Sequence, residues 1–369
     1  MESLLTAAHP GEEEGSLPLR SLIEVIMKRI VTALFAVGLA GVIAAASGTD
    51  DEGRMPDLDG AVAWLNSTPL SSKALRGKVV LVNFWTYSCI NSLRELPYMK
   101  AWAAKYKDAG LVVIGVHAPE FGFETNPANV KTAVSELKVT YPIPIDSDHS
   151  IWTSFRNEYW PADYFIDAKG RIRYHHYGEG EYERSERVIQ TLLRENGAAG
   201  LDETLVHIAA EGPEAPPSND VRSPETYVGY ARTENFASPE RVARNKSRIY
   251  SAPGSPELNH WGLGGSWNVG AERATLESVP GKIVFRFHSR DLHMVLGPPK
   301  NGTPVRFKLK LNGAAPGDDH GSDCAADGTG EVRQPRMYQL VRQKGLIKDV
   351  TFEIEFLDPG VEAFSFTFG

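Results

Sequence analysis

The sequence predicts an α/β domain built on a parallel sheet, followed by an all-β sandwich domain. Between residues 78 and 197, short apolar strands alternate with amphipathic helical segments, a pattern typical of βαβ units. From residue 223 onward, short strands of alternating apolar and polar residues are separated by Gly, Pro and Asp clusters, which indicates an antiparallel sandwich or jelly roll. A chain of 369 residues has room for two such cores.

The first 50 residues have the features of a targeting segment. Met27, Lys28 and Arg29 precede an uncharged apolar run over residues 30–46 that ends in small residues. This order predicts a secretory signal, and the run is also long enough to stay in the inner membrane as an anchor. Residues 1–26 are acidic and precede the basic segment, so Met27 is a candidate start. We expect an extracytoplasmic, periplasmic protein.

The α/β domain is predicted over residues 53–197. Its strands follow glycines or turns and are rich in β-branched residues, whereas its helices carry apolar residues at helical spacing. The predicted strands are 78–85, 111–116, 139–145, 162–167 and 171–177, and the predicted helices are 90–109, 128–137, 151–157 and 184–195.

A linker is predicted over residues 198–222, where Gly, Ala and Pro accumulate and no apolar face persists. The β-sandwich domain is predicted over residues 223–369. Its strands are the segments 282–288, 292–296, 305–311, 350–356 and 363–368, each with a period of two.

The net charge and the cysteine content limit the classes of function that the sequence allows. The net charge is −8 with acidic and basic residues interleaved, which argues against nucleic-acid binding. Cys89 and Cys324 are the two cysteines, too few for an exported fold built on disulfides. A free cysteine in an oxidising compartment suggests that its thiol has a chemical role. Cys89 fits such a role better than Cys324, which we interpret as a buried free thiol.

Cys89 stands in the segment W-T-Y-S-C-I-N-S, between a buried strand and a long helix. A sulfur at this junction faces unsatisfied helix N–H groups and the positive end of the helix dipole. We therefore predict that the pKa of Cys89 lies below its ordinary value. Pro97 falls inside the helix, and Trp160 and Pro161 directly precede a strand, where a cis peptide bond would lie beside the sulfur.

These motifs resemble the thioredoxin superfamily, and within it the C-terminal region of DipZ-type thiol–disulfide proteins. The similarity runs over residues 55–369 and includes H-A-P-E, Y-W-P-A, G-E-G and the tail F-S-F-T-F-G. It implies a thioredoxin-like α/β fold followed by a jelly-roll-like β-sandwich. It also implies that Cys89 is the attacking cysteine and Pro161 a cis-proline beside bound substrate, with flanking positions at Trp85, Thr86 and Trp160.

Ser92 departs from the family pattern, which has a second, resolving cysteine at this position. A serine hydroxyl cannot break a mixed disulfide, although it can hydrogen-bond the Cys89 thiolate. One hypothesis is a monothiol oxidoreductase whose protein thiol or disulfide partner is released by an outside thiol, such as glutathione or a partner's cysteine. The other is a redox-inactive binding protein that has kept the fold.

A thiol peroxidase is a third hypothesis. Thr86 and Cys89 form the T-x-x-C of peroxiredoxins, but Val82 stands where that family has proline. An arginine partner cannot be chosen from sequence among Arg94, Arg156 and Arg171.

Weaker signals lie outside the Cys89 segment. Glu120 is a candidate proton shuttle or else a solvated loop acid, and His117 is interpreted as structural. Trp261 and Trp267 would either stack on a carbohydrate ligand or be buried under the sheets. The acidic loop around Asp323 does not match the residue pattern of a calcium-binding loop, so we expect no metal there. We expect no cofactor elsewhere in the chain.

Overall fold

The computed structural model describes residues 52–369. The predicted leader, together with its cleavage or anchoring over residues 30–46, lies outside the described residues. Within residues 52–369, no helix is both long enough and apolar enough to cross a membrane.

A six-stranded mixed sheet forms the centre of the first domain. Its strands are β1 (Ala63–Leu65), β2 (Val79–Trp85), β3 (Leu111–His117), β4 (Ile143–Ile145), β5 (Ala162–Ile166) and β6 (Ile172–Tyr177), in the order β1-β4-β3-β2-β5-β6. The predicted parallel pairing holds for β2, β3 and β4, whereas β1 and the β5–β6 hairpin pair antiparallel. All of β2 is buried, which explains its near-continuous apolar sequence.

Four α-helices surround this sheet. They are α1 (Ile90–Lys105), α2 (Pro127–Glu136), α3 (Ser150–Ser154) and α4 (Tyr182–Glu195). Helix α1 continues through Pro97 and buries Leu96, Met99 and Trp102 in the core of the first domain. Leu93, one turn earlier, packs instead against the second domain. The N-terminal end of α1 therefore lies between the two domains.

The second domain is a curled antiparallel sheet of ten strands around one apolar core. The strands are β7 (Thr226–Tyr227), β8 (Ser247–Tyr250), β9 (Trp261–Val269), β10 (Ala274–Phe287), β11 (Asp291–Gly297), β12 (Val305–Leu311), β13 (Thr329–Val332), β14 (Arg336–Arg342), β15 (Val350–Phe356) and β16 (Glu362–Phe368). Strand β10 pairs with β9, β15 and β16, so it joins the two halves of the sheet. Strands β12 and β15 match their predicted ranges residue for residue.

The predicted linker, residues 198–222, is fastened to both domains. Its Val206 N–H donates to Glu186 Oε2 at 2.9 Å, and its Glu214 pairs with Lys100 at 3.2 Å. On the other side, Arg290 of the second domain donates to Pro216 O at 2.7 Å. The two domains and this segment form one compact unit.

Candidate active site around Cys89

Cys89 is the N-cap residue of α1 and follows the end of β2 by four residues. Its backbone is extended, with φ −86° and ψ 120°, and its carbonyl accepts the first helical N–H, that of Leu93, at 3.1 Å. Its side chain is partly exposed, and the thiol is free. The predicted placement of the sulfur at a strand-to-helix junction is confirmed.

Ser92 lies one helical turn from Cys89 and is 2% exposed. Its backbone N–H and its hydroxyl both hydrogen-bond the Cys89 sulfur and lower the pKa of the thiol. Cys324, the other cysteine, is 7% exposed in the core of the second domain, and its Sγ donates to Ala325 O. Cys324 is thus a buried free thiol, as predicted.

The prediction that the pKa of Cys89 is lowered is wrong. Burial, and then the carboxylates of Glu120 and Glu225, raise the pKa of Cys89 to about 12 in spite of the two hydrogen bonds from Ser92. The prediction from sequence included the effect of the helix terminus. It could not include the carboxylates, because loops and the second domain bring them close to the sulfur only in the folded protein. At neutral pH, Cys89 is a thiol rather than a thiolate.

A cavity of about 390 Å³ opens beside Cys89 and is walled by both domains. Trp160 lines it opposite the helix, and its indole Nε1 donates to Ala118 O at 3.0 Å. The Trp160–Pro161 peptide bond is cis, as the resemblance implied. The second domain contributes Ser223, Glu225, Tyr227, Arg232, Thr367 and Phe368.

Glu120 lies in this cavity and is not a solvated loop acid. Its side chain is 7% exposed, and its Oε1 accepts from Tyr227 Oη at 2.5 Å and from Arg232 Nη1 at 3.2 Å. Both donors belong to the second domain, which therefore fixes a carboxylate of the first domain next to the thiol. Sequence could not reveal this contact because its partners are more than a hundred positions apart.

Glu124 is a functional candidate that sequence reasoning missed. It is fully buried on the short 3₁₀ turn Gly122–Thr125, where its carboxylate accepts from Ser88 Oγ at 2.6 Å and from the Thr86 hydroxyl. Its other oxygen accepts the backbone N–H groups of residues 120 and 121. Burial raises its pKa to about 7. Through these hydrogen bonds Glu124 connects the loop that contains Glu120 with the loop that contains Cys89.

Trp85 and Thr86, expected to flank substrate, do not line this cavity. Trp85 is 1% exposed and packs edge-on against His117, while Thr86 is wholly buried and bonds Glu124. His117 is buried too, and burial lowers its pKa to about 3, in keeping with a structural role. The threonine hydroxyl is therefore bonded to Glu124 and does not line the cavity beside Cys89.

The arginines considered for a peroxidase do not line the cavity either. Arg94 is buried and pairs with Glu179 at 3.4 Å, and it also donates to Phe368 O at 3.3 Å. The cavity arginine is Arg232, which is already paired with Glu120. The structure therefore gives no support to the three arginines named for a peroxidase, and the peroxidase hypothesis stays a prediction.

A second buried acidic pair links α1 to the sheet. Asn83 Nδ2 donates to Glu95 Oε2 at 2.8 Å and to Asp163 Oδ1 at 3.0 Å, and all three side chains are at most 2% exposed. Burial raises the pKa of both carboxyl groups, so the pair holds a proton near neutral pH. The three residues come from β2, α1 and β5, which is why no local motif revealed them.

The N-terminal end of α1 is covered by an interdomain cluster, defined as Ile90, Leu93, Phe121, Val295, Met337 and Phe364. The ring of Phe364 lies 5.3 Å from that of Phe121 and 4.9 Å from that of Phe123. A hydrogen bond from Gly122 N–H to Glu272 Oε1 at 2.6 Å adds a polar contact across the same boundary. These contacts hold the second domain against the active-site helix.

The structure does not support a carbohydrate site formed by the tryptophans of the second domain. Trp261 and Trp267 are fully buried in the β core, so neither can stack on a sugar ring. In the acidic loop, Asp323 pairs with Arg336 at 2.6 Å and Asp327 accepts from Thr329, so both carboxylates have partners within the protein.

A thiol at the N-terminus of a helix, a cis-proline loop across a cavity and a mixed sheet with a parallel centre together define a thioredoxin-fold thiol–disulfide protein. Residues 54–175 match the AhpC/TSA family, and residues 223–369 match the family described as thioredoxin like C-terminal domain. The chain therefore belongs to the thioredoxin-like family of thiol–disulfide oxidoreductases, as its resemblance predicted.

Two sequence relatives agree with this assignment. Protein DipZ of Mycobacterium bovis is 35% identical over 320 residues, which is 86% of this chain and 43% of DipZ. Thiol-disulfide oxidoreductase YkuV of Bacillus subtilis is 33% identical over 141 residues, 38% of this chain and 95% of YkuV. A solved thioredoxin-like protein in the oxidized form is 34% identical, with a TM-score of 0.36 over 38% of this chain and 95% of its own. The chain thus spans less than half the length of DipZ.

Proposed function

We propose that this protein exchanges thiols and disulfides through Cys89 alone. The supporting observation is the cavity that Cys89 and Trp160 both line, with cis Pro161 directly after Trp160 and the hydroxyl of Ser92 hydrogen-bonded to the Cys89 sulfur. In this proposal Trp160 and Pro161 hold the disulfide substrate against the sulfur. The substrate is a protein or low-molecular-weight disulfide.

The proposed reaction has two exchange steps. The Cys89 thiol loses its proton, and the thiolate attacks one sulfur of the disulfide R–S–S–R′ to form Cys89–S–S–R. The leaving R′–S⁻ takes up a proton and departs as R′–SH. An external thiol R″–SH then attacks the mixed disulfide, which gives R–S–S–R″ and restores Cys89. One disulfide is consumed and one is formed.

Glu120 is the proposed proton acceptor for Cys89. Its carboxylate lies in the same cavity and is close enough to raise the pKa of the thiol. Tyr227 and Arg232 hold that carboxylate in place. A base is required because the thiol form predominates at neutral pH, and the same carboxyl group can return the proton to the leaving thiolate.

A redox-inactive binding protein is the second candidate. The observation that favours it is the raised pKa of Cys89, since a thiol that stays protonated attacks disulfides slowly. In that case the cavity binds a partner segment without forming a bond to it.

Trapping of mixed disulfides separates the two candidates. The wild-type chain would be incubated with an activated aromatic disulfide and with periplasmic extract, and adducts would be mapped by mass spectrometry. We expect adducts at Cys89 that dithiothreitol releases, their loss in Cys89→Ala, and their retention in Cys324→Ala. If Cys89 formed no adduct in a folded protein, the binding hypothesis would replace the exchange hypothesis.

We also propose that the protein is exported. The support is the basic segment and apolar run over residues 28–46. Expression of the full chain followed by cell fractionation and N-terminal sequencing tests this proposal. Cleavage after the small residues near position 46 identifies a signal peptide, an intact membrane-bound chain identifies an anchor, and a chain found intact in the cytoplasm contradicts export.

A further inference from the structure

The cavity beside Cys89 is lined by more negative than positive groups. Glu120, Glu158 and Glu225 contribute three carboxylates, and Arg232 contributes the one guanidinium among its described lining residues. Glu120 and Glu158 come from the first domain, whereas Glu225 comes from the second. Both domains therefore contribute carboxylates to the cavity.

The single guanidinium is already engaged. Arg232 lies 3.2 Å from Glu120 Oε1, and its guanidinium carbon is 3.3 Å from the centre of the Tyr227 ring. Glu158 and Glu225 form no ion pair within 4 Å in the described part of the chain. Arg232 therefore forms its ion pair with Glu120, whereas Glu225 is hydrogen-bonded to Tyr227 and feels Arg232 only at longer range.

The field of these carboxylates reaches the sulfur. Glu120 and Glu225 both raise the pKa of Cys89, which shows that their negative charge disfavours the thiolate. Desolvation, and then the negative charge of Glu120, raise the pKa of Glu225. A positive charge bound between them would relieve both effects and favour the reactive thiolate.

We propose that this cavity selects disulfides that carry a positive charge beside the sulfur, in a small amine disulfide or in a lysine- or arginine-flanked peptide segment. The proposal rests on the exchange function proposed above and names its substrate class. A cationic group would be attracted to the carboxylates of the cavity, whereas an anionic disulfide such as oxidised glutathione would be repelled. The cation would also assist deprotonation of Cys89 once bound.

The test compares disulfides that differ in charge. The rate of adduct formation at Cys89 would be measured by mass spectrometry with cystamine, hydroxyethyl disulfide and dithiodiglycolate, in a Cys324→Ala background. Each rate would be divided by that of a small reference thiol, which removes differences in intrinsic reactivity. A parallel series would use lysine-flanked, serine-flanked and glutamate-flanked cystine peptides.

We expect the cationic disulfide to be favoured over the neutral one by about tenfold or more, with most of this preference lost in 1 M salt. The double variant Glu158→Gln/Glu225→Gln should bring the ratio close to that of the reference thiol. Glu277→Gln, an exposed glutamate outside the cavity, is the matched control and should leave the ratio unchanged.

The outcomes separate the two proposals. A preference in the cystamine series indicates a small amine disulfide, and a preference in the peptide series indicates a basic segment. Equal normalised rates for cationic, neutral and anionic disulfides in both series would overturn the charge selectivity while leaving the exchange function intact. No adduct with any disulfide would instead overturn the exchange function.

Discussion

Replacing Ser92 by cysteine should convert the protein into a dithiol oxidoreductase. Ser92 is 2% exposed, lies three residues after Cys89 on α1, and already hydrogen-bonds its sulfur. Residues three apart in a helix are close enough to form a disulfide, and cysteine is only slightly larger than serine. The new thiol should therefore reach Cys89 without a change in the backbone.

The expected gain in the rate of mixed-disulfide release follows from comparing a resolving thiol within the protein with an external one. An external thiol acts at its solution concentration, in the millimolar range, whereas a neighbouring group held in orientation has an effective concentration many orders of magnitude higher. Release of the mixed disulfide should accelerate by at least about 100-fold in Ser92→Cys. The wild-type protein should remain poor in the same assay because it lacks this step.

Insulin reduction by dithiothreitol, followed as turbidity, measures the gain. Ser88→Cys is the matched control, since it adds a thiol at a buried position that contacts Glu124. Cys89→Ala/Ser92→Cys should be inactive. If folded Ser92→Cys gained no activity, the loss of function would extend beyond position 92 and the binding hypothesis would be the better account.

Three further predictions follow from the same structure. Alkylation of Cys89 should rise by about tenfold per pH unit from pH 7 to 10, and a plateau below pH 8 would contradict the raised pKa. Phe364→Ala should cost about 3 kcal/mol in denaturant unfolding and expose Cys89 to faster alkylation, and unchanged values would show that the interdomain cluster does not hold the domains together. Residues 223–369 alone should melt cooperatively because they contain their own core, and a non-cooperative fragment would show that the domains share one folding unit.

Much of the fold could be predicted because it depends on local pattern. Strands β12 and β15 alternate buried residues with more accessible ones along their whole length, so period two defined their limits. Strand β9 was missed because four of its nine residues are glycine or serine, which read as loop residues. Strand β4 proved shorter than expected, since only Ile143–Ile145 of the predicted apolar stretch pairs in the sheet.

The site was predictable only where it follows from chain position. Cys89, Ser92 and cis Pro161 occupy the ends of regular elements, so their placement came from motif and strand order. Glu124 and the Glu95–Asp163 pair act through contacts between distant segments, and no local pattern marks them. The same reason explains why Glu120 was taken for a solvated acid.

Two opposing effects act on the pKa of Cys89: the helix N-terminus lowers it, whereas burial and nearby carboxylates raise it. A helix N-terminus stabilises a negative charge by about 1 kcal/mol, rarely more than about 2 kcal/mol. A change in the thiol pKa from 9.0 to about 12 corresponds to roughly 4 kcal/mol in the opposite direction, after the favourable hydrogen bonds from Ser92 are included. Burial and carboxylates therefore outweigh the dipole. Glu225 and the partners of Glu120 come from the second domain, so that domain contributes to the raised pKa of the thiol, although desolvation and Glu120 contribute more than Glu225 does.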